Sequence, residues 1–390
     1  MERVLVINEV SQAGLKILCN HDVGKNTMAP TAIIVRSAKV DVDQYPNLVA
    51  VARAGAGVEN IDIGRATEKG ICVFNAPGAN ANAVAELVFI MLGLYARRID
   101  QALQFIHDLN WKDADIAAKI ETGKSRFTGF ELAGKTLGII GLGKIGVLVA
   151  NAGIERGMRV IGYDAFPTLT NMHQLNPKVE VVRRMEEIFP VADVLSVHVP
   201  LSDKTRHLIG ANQIALMKPD CILINYSRGG IYDDAAVLEA LSTHRVAAFI
   251  TDFPTEDLSK NSQVVCTPHL GASTAESEEN CSLMAARELR NYLEYGVVTN
   301  SVNFPGIERF PSQSIRTRLA ITSKDVPNMI AAITGVLGDA GINIQALANE
   351  SNGKVSYSLV DLEVDVSEEL VHRIRQLPNV LRVRILKFSK

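Results

Sequence analysis

Cysteine is scarce and unpatterned in this chain. Five cysteines, at positions 19, 72, 221, 266 and 281, are scattered over 390 residues, with no C-x-x-C pair and no metal-like spacing. That excludes a disulfide-stapled scaffold and predicts reduced thiols, no metal and a cytoplasmic setting. A dominant charge sign is also missing. The net charge of −3 argues against nucleic acid or an anionic membrane as partner. The longest apolar stretch, "AVAELVFIMLGLYA" at 83–96, is interrupted by Glu86. It falls short of the ~20 residues a membrane helix needs and reads as a buried helix. The start, "MERVLVINEVS", is acid-containing and strand-like, so no secretory segment is expected.

What is present is material for packed cores. Hydrophobic residues make up 47% and charged residues 21% of the sequence, and this length suggests two to three domains. Short apolar runs recur at 4–7, 32–35, 48–52, 137–140, 159–164, 179–182, 194–199, 222–225, 247–253 and 263–267. Helical patterns separate many of them, one running from about Asn82 to His107. Continuous apolar strands alternating with helices predict parallel sheets covered on both faces. A second long helix is expected after Ser273 and Thr274, with Leu283, Met284, Ala286, Leu289 and Leu293 at helical spacing. "VNFPGIERFPSQS" at 302–314 then reads as a linker. From about Ile315 the order becomes β-α-β-β-α-β, a small ferredoxin-like unit.

"LGIIGLGKIG" at 137–146 places Gly141, Gly143 and Gly146 as G-x-G-x-x-G between an apolar strand and a helix. A second strand ends in Asp164, about 18 residues after the last glycine. In that context the glycines serve a tight turn, close approach to a pyrophosphate, and helix–strand packing. The helix N-terminus offers N–H groups to the phosphates. Asp164 would accept hydrogen bonds from ribose hydroxyls and repel a 2′-phosphate, which favours NAD over NADP.

Three later strands run into ionisable groups at their carboxyl ends, where ligands of open α/β sheets sit. "ILINYS" runs to Arg228, "AAFIT" to Asp252 and Glu256, and "VVCTP" to His269. Oxidising an alcohol by hydride transfer needs a base for the hydroxyl proton, which suits His269, with Glu256 as its carboxylate partner. Arg228 offers a planar fork for a substrate carboxylate.

The chain resembles the D-isomer-specific 2-hydroxyacid dehydrogenases. The stretches that carry the resemblance are "GKTLGIIGLGKIG", "VHVPL", "INYSRGG", "DFPTE", "TPHLGAS", "IIVRSAKV", "VARAGAGVENID" and "NAPGANANAVAEL". The resemblance implies an α/β fold with two Rossmann-like or flavodoxin-like parallel-sheet domains and a C-terminal ferredoxin-like ACT domain. It implies a discontinuous substrate-binding domain (1–95 and 275–305), an NAD-binding domain (96–274) and an ACT-like regulatory domain (315–390). It implies catalysis by Arg228, Glu256 and His269. Cofactor contacts are implied at Lys144 and Ile145, Asp164, Pro200, Tyr226, Ser227, Gly271 and Ala272, besides the glycine loop. The family usually shows an aspartate where Thr251 stands, so Asp252, one step along, is the expected contact only if the strand end has turned.

The resemblance points to 3-phospho-D-glycerate as substrate, in a homodimer or homotetramer. Arg53, with the Gly55–Gly57 loop, is the candidate phosphate or carboxylate anchor, joined by Arg36 and Asn60. A glyoxylate or hydroxypyruvate reductase and a non-catalytic NAD-sensing protein are the competing readings. In related ACT domains L-serine binds at a dimer interface. Here Asp325 and Asn343 would form such an effector site, but the family's histidine is absent, so a purely structural or oligomerising role competes with it.

Overall fold

The computed structural model describes residues 1–388 and divides into two compact units, Met1–Asn80 with Ala275–Lys390, and Ala81–Thr274. In the first unit, five parallel strands stand in the order Asp22–Gly24, Arg3–Ile7, Ala32–Val35, Ala50–Arg53, Cys72–Phe74. This is the flavodoxin-like order 2-1-3-4-5. The long helix Ala275–Tyr295 covers one face, burying Cys281, Ala285, Leu289 and Tyr292 against Ile34, Ala52 and Phe74.

The β-α-β-β-α-β module is present as expected. Its antiparallel sheet has the order Ala346–Ser351, Val355–Leu362, Thr317–Lys324, Val380–Lys387. Helices Met329–Asp339 and Glu368–Arg375 cover one face through Ile333, Leu337, Val371 and Ile374. The other face does not stay open. Tyr357, Leu359 and Leu386 join the core of the parallel-sheet domain, with Tyr357 5.6 Å from the Phe304 ring.

The C-terminus of the Ala275–Tyr295 helix, where carbonyls lose their helical partners, is capped by this sheet. Arg384 donates to the carbonyls of Tyr292 and Leu293, each at 3.0 Å, and lies over the Tyr292 ring. Arg318 donates to Tyr295 O and Arg309 O and holds Asp361 through two bonds of 2.6 and 2.8 Å. The Arg318–Asp361 pair is almost fully buried, at 0% and 3% side-chain exposure. Arg318→Ala leaves the buried Asp361 carboxylate with only Arg309, 4.0 Å away, as a cation, and breaking such a buried pair costs about 3–5 kcal/mol. Urea unfolding should show that loss; a change under about 1 kcal/mol would mean that water reaches the carboxylate.

In the second unit seven parallel strands follow the order Glu180–Val181, Arg159–Tyr163, Thr136–Ile140, Val194–Val197, Cys221–Asn225, Val246–Thr251, Val264–Cys266. In chain order this is 3-2-1-4-5-6 with one strand added, the dinucleotide-binding arrangement. The order reverses between Thr136–Ile140 and Val194–Val197, which opens the crevice over their carboxyl ends.

Two boundaries differ from the sequence reading. The first unit ends at Asn80 rather than near residue 95. Val84, Val88, Phe89 and Leu92 of helix Ala81–Ala96 pack with Leu137, Val147 and Val160, so this helix belongs to the nucleotide domain's core. The single helical pattern from 82 to 107 is also two helices, Ala81–Ala96 and Ile99–His107, broken where Arg98 takes a φ of 50°.

Candidate active site

The glycine loop is built by steric necessity. Gly141 has a φ of +96°, and a Cβ there would lie 2.6 Å from the carbonyl oxygen of His198. A Cβ on Gly146 would fall 1.8 Å from Gly141 O. Around Gly143, by contrast, a Cβ would meet nothing within 4 Å. The open side is where a pyrophosphate can lie against bare backbone. Gly143 caps the 12-residue helix Lys144–Glu155, so the amides of its first turn, including Ile145, face the same space. Asp164 closes the loop: Oδ2 accepts the Leu142 N–H and Oδ1 the Phe166 N–H, both at 2.7 Å. These residues fit a dinucleotide, the glycines by shape and Asp164 by charge.

His198, at the end of the Val194–Val197 strand, was not singled out by the sequence motif. Its Nε2 lies 2.9 Å from Ser196 Oγ, while Nδ1 is buried without a partner. Burial holds this imidazole neutral, with its pKa pushed down to about 4. Between pH 6.5 and 4 the unfolded chain therefore binds a proton that the folded chain refuses. The associated stability is complete above about pH 6.5 and fades as the pH falls towards 4, by on the order of 3 kcal/mol. His198→Asn should flatten the decline in unfolding free energy between pH 7 and 4.5; identical slopes in both proteins would refute the assignment.

The strand-end groups are held by local bonds. Asn225, the last residue of its strand, accepts the Ser227 N–H at 3.1 Å and donates to Arg228 O at 2.9 Å. Ser227 Oγ donates to Val199 O, and Arg228 Nη1 donates to Ser227 O at 2.8 Å. This cross-braced turn sets the half-buried Arg228 beyond the strand. The Tyr226 ring enters the core, and burial pushes its phenol pKa up, so only the backbone of Tyr226 faces the crevice. Pro200 is exposed, and its carbonyl accepts from Thr205 Oγ1 at 2.6 Å.

Thr251 and Asp252 have different partners. Thr251 Oγ1 accepts the Phe253 N–H at 3.1 Å. Asp252 is 1% exposed; its Oδ2 accepts the Gly271 N–H at 3.0 Å, and its main-chain oxygen accepts the His269 N–H at 3.1 Å. Burial raises the Asp252 pKa, opposed by the Gly271 bond and by the positive charges of His269 and Arg228. The His269 ring lies 4.8 Å from the Phe253 ring. Asp252, His269, Thr251 and Phe253 line a cavity of about 740 Å³. Gly271 is buried and Ala272 half-buried on the same turn.

The structure does not join Glu256 to His269. Glu256 opens a short helix capped by the Thr255 hydroxyl, which aims its side chain along the helix. There it pairs with Lys260 at 2.5 Å and is 81% exposed.

In the other unit, Arg53 donates to Arg36 O at 3.0 Å and to Gly57 O at 2.6 Å. The Gly55 N–H already donates to Arg53 O, so this loop is not the set of unpaired amides expected as an anion cradle. Arg36 pairs with Glu278 at 2.7 Å. Asn60 donates to Ala38 O at 2.7 Å and leaves Oδ1 buried and without a partner. Asp325 and Asn343 are both exposed. Among the described residues no group of three or more His, Cys, Asp or Glu converges as metal ligands would, and no helix is long and apolar enough to cross a membrane.

Comparison with known proteins agrees with this geometry. Residues 89–271 match the model of the D-isomer specific 2-hydroxyacid dehydrogenase NAD binding domain, and residues 311–384 match the ACT domain. D-3-phosphoglycerate dehydrogenase of Escherichia coli K12 is 34% identical over 358 residues, covering 88% of this chain and 83% of that protein. The chain belongs to the D-isomer specific 2-hydroxyacid dehydrogenase family. The D-3-phosphoglycerate dehydrogenase of Methanocaldococcus jannaschii is 36% identical over 79% of this dehydrogenase, which spans 60% of that relative's length. Among solved structures, the NAD+-bound 3-phosphoglycerate dehydrogenase of Entamoeba histolytica matches with a TM-score of 0.61 at 27% identity, over 77% of this chain and 98% of that one. The dehydrogenase is thus NAD-dependent, and its second unit is the NAD-binding domain.

Proposed function

We propose that this dehydrogenase oxidises 3-phospho-D-glycerate to 3-phosphohydroxypyruvate, the opening reaction of L-serine synthesis. The observation that carries this reading is the set of Arg228, Asp252 and His269 at adjacent strand ends, in a chain that matches the Escherichia coli D-3-phosphoglycerate dehydrogenase along most of both lengths. Bound NAD supplies the hydride acceptor. Arg228 anchors the substrate carboxylate through its planar fork and so fixes C2. His269 takes the proton of the C2 hydroxyl during oxidation and returns it during reduction. Residues 1–80 with 275–305 form the substrate-binding domain, and Arg53 receives the phosphate by exchanging its bonds to Arg36 O and Gly57 O for bonds to the anion. Arg36 and Asn60 support that loop. Pro200, Ser227 and Ala272 border the cofactor. The chain works in the cytoplasm as a homodimer or homotetramer, and the apolar side chains Leu103 and Trp111, 59% and 63% exposed, offer a surface for that association. Asp325 and Asn343 mark the exposed edge at which an amino-acid effector would meet the ACT domain.

The test is loss of NADH absorbance with 3-phosphohydroxypyruvate and, separately, with glyoxylate. Turnover with the phosphorylated acid is expected. Turnover with glyoxylate at equal efficiency would replace this reading with a general 2-oxo-acid reductase, and no turnover with either would leave an NAD-binding protein.

A further inference from the structure

Three adjacent strands of the nucleotide domain end in register. Asn225 pairs with Thr251 and Thr251 with Cys266, so the residues that follow, Tyr226, Asp252 and Thr267, stand in a row about 4.8 Å apart. We propose that these three side chains form a buried binding site for one water molecule, which ties the three strand ends together beneath the turn that carries Gly271. The site does not depend on which acid the enzyme reduces.

Three observations carry it. First, each member of the row has a buried oxygen with no hydrogen-bond partner among the described residues: the Tyr226 hydroxyl, Asp252 Oδ1 and Thr267 Oγ1. Tyr226 and Asp252 are 4% and 1% exposed, so bulk water does not satisfy them. Leaving one such oxygen unpaired is costly, and three in one row call for a common partner. Second, the three groups act on one another. Burial pushes the Tyr226 phenol pKa up, the Thr267 hydroxyl opposes that rise, and the Asp252 charge adds to it. The phenol therefore reaches over Asp252 towards Thr267, yet no direct bond of acceptable geometry joins the two hydroxyls. Third, the walls offer no other donor. The Tyr226 ring packs in the core with Val84, Val88 and Ile250. Val84 also lies beside the Asp252–Gly271 contact, where a Cβ on Gly271 would meet Asp252 Oδ2 at 3.3 Å and Val84 Cγ2 at 3.4 Å.

The chemistry of the three groups selects water. The carboxylate only accepts, whereas the two hydroxyls both donate and accept. A water molecule can donate to Oδ1 and to one hydroxyl while it accepts from the other. That makes three bonds, about the number a buried water forms. The carboxylate repels an anion, and a metal cation such as calcium or magnesium needs about six oxygens where this row supplies three. The bound water fixes one oxygen of Asp252 while the other accepts the Gly271 N–H at 3.0 Å, so it stiffens the base of that turn.

A crystal structure of the full-length protein with NAD, at a resolution that shows ordered water, tests the site directly. One density peak is expected about 2.6–3.2 Å from all three oxygens. Direct bonds among the three side chains with no peak between them would overturn the assignment. So would a group of the cofactor on Asp252 Oδ1, or a peak with the shorter distances and extra oxygens of a cation. Thermal melts give a second reading in solution. Tyr226→Phe and Thr267→Val each remove one hydroxyl at nearly constant volume, and each should lower Tm by on the order of 5 °C. Both act through the same water, so the double variant should lose clearly less than the sum of the two single losses. Losses that simply add would show that the hydroxyls act independently and would sink the shared site.

Discussion

Replacing His269 with alanine should lower kcat by about 10²–10⁴-fold, the range expected when a positioned proton-transfer group is lost. The structure makes this a clean experiment. The imidazole is exposed and rests on the Phe253 ring, so its removal opens no core cavity. Its backbone N–H to Asp252 O survives the substitution. Thermal stability and NAD affinity should stay near those of the parent, while both directions of the reaction slow together, because the proposed proton-transfer role of His269 serves oxidation and reduction alike. Steady-state kinetics beside a thermal melt separates the two effects. Activity within a few-fold of the parent would remove His269 from the reaction.

Arg228→Ala should strike binding as well as rate. A guanidinium that holds a carboxylate through two parallel bonds fixes orientation as well as charge, and truncating such a group typically costs about 2–5 kcal/mol. At about 1.4 kcal/mol per decade this corresponds to a fall in kcat/KM of roughly 30-fold to several thousand-fold. Arg228→Lys restores the charge without the fork, so it should recover only part of the loss. The Asn225 braces hold the main chain of this turn, so the alanine variant should fold. Saturation with 2-oxo acid at the parental KM in Arg228→Ala would show that the carboxylate is held elsewhere.

Much of this architecture was legible because buried parallel strands write themselves as apolar runs. Ala32–Val35 and Cys221–Asn225 are buried throughout, and both runs were visible. Two strands of the first sheet were not. Asp22–Gly24 is three residues long and half-exposed, and Cys72–Phe74 is three residues within one short apolar group. Neither gives enough of a pattern to separate from a loop. The break at Arg98 escaped for another reason: a left-handed conformation at arginine has no local sequence signal, because it is imposed by the structure around it.

The candidate site divides in the same way. Gly141, Gly146 and Asp164 sit where spacing placed them, since steric exclusion at a glycine is a local property. The surroundings of Glu256 were less legible. Glu256 lies on the familiar motif, but the sequence does not reveal that Thr255 caps a helix whose next turn presents Lys260. The expectation that strand alternation separates Thr251 from Asp252 meets a strand that ends at Thr251, and both residues line one cavity. It could not show that Asp252 would be buried against Gly271, a contact that depends on the fold of a turn 19 residues away. Arg36 pairs with Glu278, a residue far along the chain, and no local pattern reveals that bond.

The central claim is that this site holds a phosphorylated three-carbon acid against NAD. The most direct measurement compares kcat/KM for 3-phosphohydroxypyruvate and for hydroxypyruvate, which differ only by the phosphate, with NADH in the same preparation. A charge-assisted phosphate contact predicts a preference for the phosphorylated acid of at least about 100-fold. Equal values for the two substrates would contradict the account.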